Sequence, residues 1–151
     1  MIIIAHNIRS LHNVGSILRN AAAFGVEKVF LTGITGIPPR KEIAKVSLGA
    51  EDLVLWEAGE IVAVIDGLKI AGYAVWGLET GENAIDIARC PAGKLALVLG
   101  SEVEGIDADT IKMLDGIVEI PMQKKRSLNV SVASGVAMYA IGIGRPSIVH
   151  P

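Results

Sequence analysis

The chain reads as an α/β domain, a mostly parallel sheet with helices on both faces. Three observations carry that reading. Short aliphatic runs alternate with segments of helical period along the whole length. The runs at residues 2–5 and 95–99 lack polar alternation, as strands covered on both faces require. Hydrophobic residues make up 51% of the 151 and charged residues 20%, enough for a sizeable core. Aromatic residues are only 4%, so aliphatic side chains must fill it.

Residues 2–5 form the first buried strand. Asn13 is a suitable helix N-cap, and Val14, Ile17, Leu18, Ala21 and Phe24 then share one face until Gly25 stops the helix. Residues 28–32 make a second strand. Two glycines and two prolines within residues 33–39 demand a loop. Residues 41–48 suit a short helix and residues 53–56 a strand. A helix over 60–71 ends at Gly72, and strands follow at 73–78, 95–99 and 117–120. Helices over 107–114 and 130–143 complete the set. The last is rich in small residues (Ala133, Ser134, Gly135, Ala137, Ala140, Gly142), which favours close packing on a neighbour, in this chain or in a second copy. Trp56 and Trp76 are expected in the core or at such a contact. No repeat, low-complexity tract or linker divides the chain, so residues 1–151 are read as a single domain.

Composition narrows the function. A net charge of -2 and a pI near 5.9 give no global attraction to nucleic acid or acidic lipid, so contact with either needs a local basic patch. Cys90 is the single cysteine and sits before Pro91; it has no intrachain disulfide partner and no neighbours at metal-ligand spacing. His6, His12 and His150 are not spaced as a metal triad, and no metal is expected. The opening Met1 to Ala5 is too short for a signal peptide, and the apolar run 130–144 is too short for a bilayer span; the expectation is a cytoplasmic protein. No G-x-G-x-x-G follows the first strand and no G-x-x-x-x-G-K-[ST] occurs, which weighs against a nicotinamide-dependent oxidoreductase.

Three polar clusters remain. The first runs from Asn7 to Asn20 and places Arg9, Asn13, Ser16 and Arg19 around a helix start that is positive by its dipole. The second, Leu97 to Ile106, is a strand leading into a loop bounded by Gly100 and Gly105. Those glycines allow backbone to approach a ligand, and Glu102 stands just past the strand end. The third leaves a strand at Ile120-Pro121-Met122 and passes Lys124, Lys125 and Arg126. It then enters a helix whose first turn holds Ser127, Asn129 and Ser131, with Ser127 or Asn129 as its cap. A forced turn, positive charge and small hydrogen-bonding residues suit an anionic or nucleotide-like ligand. In a parallel sheet the loops after Leu78, Leu99 and Ile120 are where such a ligand binds.

In order and spacing, these clusters resemble the three motifs of the SpoU/TrmH family of RNA ribose 2'-O-methyltransferases, within the SPOUT superfamily. The matching stretches are Asn13 to Arg19, Leu99 to Gly105, and Ile120 to Met122 with Ser127 to Ala133. The resemblance implies S-adenosylmethionine as cofactor, methylation of a ribose 2'-hydroxyl in tRNA or rRNA, a homodimer and a deep trefoil knot in the C-terminal part. It implies that Arg19 is catalytic, that Asn13 orders the site, that Glu102 holds the arginine and substrate, and that Ser127 and Asn129 complete the polar site. Gly100, Ser101, Glu102, Gly105, Ile120, Met122, Leu128 and Asn129 would hold the cofactor, with Glu79 and Thr80 near it. Candidates for RNA phosphate contact are Arg9, Arg40, Lys41, Lys45, Lys124, Lys125 and Arg126. Longer relatives carry RNA-binding or helical extensions that these 151 residues lack, and the expectation is that a dimer surface or a partner protein supplies recognition. The competing readings are a binding or assembly protein of the same fold without methyl transfer, and a base methyltransferase of the same superfamily.

Overall fold

The computed structural model describes residues 1–143. In chain order the elements are β1 (Ile2–His6), α1 (Leu11–Ala23), β2 (Lys28–Thr32), α2 (Lys41–Ser47), β3 (Trp56–Gly59), α3 (Ile61–Ile70), β4 (Ala74–Leu78), β5 (Ile85–Asp86), β6 (Leu95–Leu99), α4 (Ala108–Met113), β7 (Gly116–Glu119) and α5 (Val130–Met138). Single 3-10 turns stand at Ala50–Asp52 and Ile87–Arg89, and a π-helical turn, Tyr139–Ile143, continues α5.

Every ladder of the seven-stranded sheet is parallel, in the order β3-β2-β1-β6-β4-β7-β5. The two central strands, β1 and β6, are buried at all their positions, which is why their sequences show no alternation. Successive side chains point to opposite faces, so each strand feeds two cores. Ile3, Leu97 and Val118 meet Val14, Ile17 and Leu18 of α1, Ile43 of α2 and Met138 of α5 on one face. Ile2, Ile4 and Val98 meet Ile65 and Leu68 of α3 on the other. Connections among the later strands interleave: the β4-to-β5 link steps over β7, and the β6-to-β7 link steps over β4.

Four elements differ from the sequence reading. Helix α1 begins at Leu11 and its cap is Ser10, whose Oγ accepts from the backbone N–H of Asn13 at 3.3 Å. A left-handed residue, Asn7 (φ 56°), turns the chain sharply after β1 and lets the helix start early. The strand expected at residues 53–56 lies at Trp56–Gly59 instead, because the chain spends residues 50–52 in a 3-10 turn and leaves Leu53 and Leu55 exposed. β5 was hidden because two residues are too few to show a period. Helix α5 starts at Val130, capped by Asn129, so Ser127 precedes the helix rather than lying in its first turn. Trp56 and Trp76 both pack against the core, Trp76 over Gly116 of the neighbouring strand.

Gly15 explains part of the first motif in packing terms. A Cβ there would stand 2.6 Å from the backbone oxygen of Ile43, so only glycine lets α1 and α2 cross this closely. Gly67, exposed on α3, has open space around it and no positive φ. Gly15→Ala is therefore expected to cost about 1–3 kcal/mol, and Gly67→Ala to stabilise by about 0.5–1 kcal/mol, both read from urea unfolding midpoints.

Candidate functional site

Parallel pairing sends the carboxyl ends of all strands to one edge, so the loops after β1, β2, β4, β6 and β7 emerge together. A cavity of about 500 Å³ opens there. Its walls are Leu78, Glu79 and Thr80 after β4, residues 99–103 and Gly105 after β6, and Glu119, Ile120, Met122 and residues 126–130 after β7, closed by Ala133. All ten cofactor candidates line this cavity, as does Ser127.

The loop after β6 holds its shape by itself. Ser101 and Gly105 exchange both backbone hydrogen bonds, at 2.9 and 3.0 Å, and the Ser101 Oγ accepts from the N–H groups of Val103 and Glu104 at 3.3 and 3.1 Å. The loop itself requires both glycines. A Cβ on Gly100 would collide with the backbone of Gly105 and Ile106. Gly105 has φ 69°, and a side chain there would meet the Glu79 carboxylate. Glu79 accepts from the N–H groups of Thr80 (3.0 Å) and Ile106 (3.2 Å), tying the end of β4 to this loop.

Glu102 joins the second motif to the first. Its carboxylate accepts from the backbone N–H of Arg9 (2.9 Å), the backbone N–H of Ser10 (3.0 Å) and the Nδ2 of Asn13 (2.9 Å). Asn13 is thus not the helix cap but a donor that keeps Glu102 in place. The positive start of α1 is filled from within the chain, by this carboxylate. Partial burial pushes the Glu102 pKa up, but the Arg9 N–H, the Asn13 amide and the Ser10 N–H outweigh it, and the net shift is downward.

In the third motif the Asn129 Oδ1 accepts from both the N–H and the Oγ of Ser131, at 2.8 and 2.6 Å. Arg19 lies elsewhere. It is exposed and lines a second, open cavity of about 420 Å³ with Ser16, Asn20, Phe24, Val46, Ser131, Val132 and Gly135. Within one chain, then, Glu102, Ser127 and Asn129 share the first cavity, Asn13 supports its rim, and Arg19 faces the second. Arg9, Arg40, Lys41, Lys45, Lys124, Lys125 and Arg126 are all exposed, and Arg126 alone of these lines the first cavity.

Sequence reasoning missed Glu119 and Asn20. Glu119 ends β7 and lines the first cavity; the rule that ligands sit at strand carboxyl ends would have found it. Asn20 donates to the backbone oxygen of Ser131 (2.8 Å) and to Ser134 Oγ (3.1 Å); a polar residue among the apolar positions of α1 was its signal. Among the described residues no three His, Cys, Asp or Glu side chains gather as metal ligands, and no helix is long and apolar enough to cross a membrane. His150 lies outside the described residues.

Because its folded-state pKa is lowered from an ordinary value near 4.5, ionised Glu102 adds stability above that value and loses it as pH falls through the folded-state pKa. Glu102→Gln is expected to cost about 1 kcal/mol at pH 7, discounted for exposure. The gap to the unsubstituted protein should narrow as pH falls below the ordinary carboxylate value and through the lowered folded-state pKa, where Glu102 too becomes neutral, as measured by urea unfolding over a descending pH series.

Comparison with known proteins gives this geometry its context. The chain matches the model of the SpoU rRNA Methylase family over residues 1–139. A Synechocystis sp. protein named as an uncharacterized tRNA/rRNA methyltransferase is 32% identical, over 99% of this chain and 41% of its own length. The TrmH/SpoU tRNA modifying enzyme of A. aeolicus superposes with a TM-score of 0.82 at 26% identity, over 91% of this chain and 71% of that one. A solved RNA 2'-O ribose methyltransferase gives a TM-score of 0.82 at 27% identity, over 92% and 54%. The chain spans about half the length of the curated relatives it matches. With a family match that covers all but its last residues, and with the second and third motif stretches assembled around one cavity, the chain belongs to the SpoU rRNA Methylase family.

Proposed function

We propose that this chain transfers a methyl group from S-adenosylmethionine to a ribose 2'-hydroxyl of tRNA or rRNA. The observation that carries the reading is the first cavity, where the second and third motifs meet at the carboxyl edge of a parallel sheet. Its volume of about 500 Å³ falls within the range of small-molecule sites. Leu78, Leu99, Ile120, Met122 and Leu128 supply apolar walls fit for an adenine ring. Glu79, Glu102 and Glu119 stand against a single guanidinium, Arg126, a balance that suits a ligand bearing a sulfonium and an ammonium group.

When bound, the cofactor supplies a methyl group already activated by its sulfonium. The protein must then align an oxygen with that carbon and favour its alkoxide character. Arg19 suits the second task. A guanidinium is a cationic fork and a poor base, so Arg19 suits stabilising the developing negative charge and clamping a phosphate. Because Arg19 faces the second cavity, a homodimer gives it a role at a complete site. An exposed apolar stripe on α5 and the turn after it (Val132, Val136, Tyr139) borders that cavity and supports such pairing. Arg9, Arg40, Lys41, Lys124, Lys125 and Arg126 would grip the RNA backbone, since the loops after β1, β2 and β7 share the edge on which the first cavity opens. The interleaved links among β4 to β7 support the threaded C-terminal segment that the resemblance implies.

Calorimetry is expected to show one molecule of S-adenosylmethionine bound per chain, and methyl transfer to unmodified tRNA or rRNA transcripts should leave alkali-resistant linkages. Alkali-labile product would move the acceptor from ribose to base. Arg19→Lys is expected to lower turnover about 100-fold or more while leaving cofactor affinity nearly unchanged, because Arg19 lies outside the first cavity. Val136→Glu should convert a dimer to monomers in sedimentation velocity and abolish transfer without abolishing cofactor binding.

A further inference from the structure

We infer that Asn20 is a positioning residue that sets Asn129 from the opposite cavity; the inference rests on the proposed cofactor site. Asn20 is half-buried on α1, directly after Arg19, and lines the second cavity. Both hydrogens of its Nδ2 are spent on α5, one on the backbone oxygen of Ser131 (2.8 Å) and one on Ser134 Oγ (3.1 Å). Ser134 is fully buried, and its hydroxyl donates to the same Ser131 oxygen at 2.7 Å. That oxygen, already part of the α5 backbone ladder, thus takes two side-chain donors as well. Ser131 passes the constraint on. Its N–H and its Oγ both donate to the Asn129 Oδ1, so the amide nitrogen is the end that Asn129 has left to offer the first cavity, which it lines. Gly135 makes the approach possible: a Cβ there would press to 3.1 Å from the Asn20 nitrogen. The path Asn20–Ser131–Asn129 thus runs from the arginine's cavity to the cofactor's through hydrogen bonds of ordinary length.

The test uses the full chain, S-adenosylmethionine alone as probe, and calorimetry. In Asn20→Asp an oxygen of nearly the same shape replaces the donor and faces the Ser131 oxygen. In Asn20→Ala the Ser134 donor still holds that oxygen. The expected order is therefore a roughly fivefold or greater loss of cofactor affinity for Asp and a smaller loss for Ala. A packing role alone gives the reverse order, because Asp preserves volume and Ala does not, and that order overturns the inference. The second measurement is a double-mutant cycle with Asn129→Ala. The loss from Asn20→Asp should largely vanish in the Asn129→Ala background, and additive losses overturn the inference. Should Asn20→Asp fail to fold, the cycle is run with Asn20→Ala and decides in the same way. Absence of binding by the unsubstituted protein would instead overturn the cofactor reading, a result distinct from either of these.

Discussion

The Glu102 carboxylate is the tie on which the site depends. It reaches from the loop after β6 to two backbone N–H groups and one side-chain amide at the start of α1. Hydrogen bonds to an ionised acceptor are stronger than neutral ones, and three on one carboxylate leave it little freedom. Two motifs some ninety residues apart thereby become one rigid rim. A carboxylate placed here also changes what the helix start can do. The N–H groups of Arg9 and Ser10, which lead into the helix, are taken by this carboxylate and are not free for a phosphate. The basic side chain of Arg9 remains exposed while its backbone is held.

Much of the fold was legible because the sheet is parallel and buried. Strands covered on both faces write themselves as unbroken aliphatic runs, as at residues 2–5 and 95–99, and the helices between them show their period through Val14, Ile17, Leu18 and Ala21. What misled the reading was local chemistry overruled by distant contacts. Asn13 has the composition of a cap, but its amide is claimed by Glu102. Leu53 and Leu55 have the composition of a strand, yet they stand in the open beside a 3-10 turn. No window of a dozen residues contains the information that settles either case.

The site was legible to a different depth. The residues after Leu78, Leu99 and Ile120 could be placed by the topology of parallel sheets, and they line one cavity. The purpose of the motif glycines could not be read in that way. Gly100 and Gly105 read as places where a ligand comes close; what the sequence does not show is that each also packs against the protein's own backbone or carboxylate, as Gly15 does between α1 and α2. Arg19 was the hardest to place, because its chain position fixes its helix but not which cavity it faces. Asn20 shows locally only as a polar residue on α1; its partners lie about 110 positions away, and no local pattern names them.

The order of strands has a kinetic consequence. Ile2 sits beside Ala96 and Ala74 beside Leu95, while β7 reaches β4 only after the chain has passed over it. Such contacts close long loops, which slows their formation. One wall of the first cavity, Glu119 to Val130, follows β7 directly, so the cavity is complete only with β7 in place. A chain without β7 in place lacks that wall, and a small molecule that fills the cavity favours the state in which β7 is paired. Ligand occupancy and completion of folding are thereby linked equilibria.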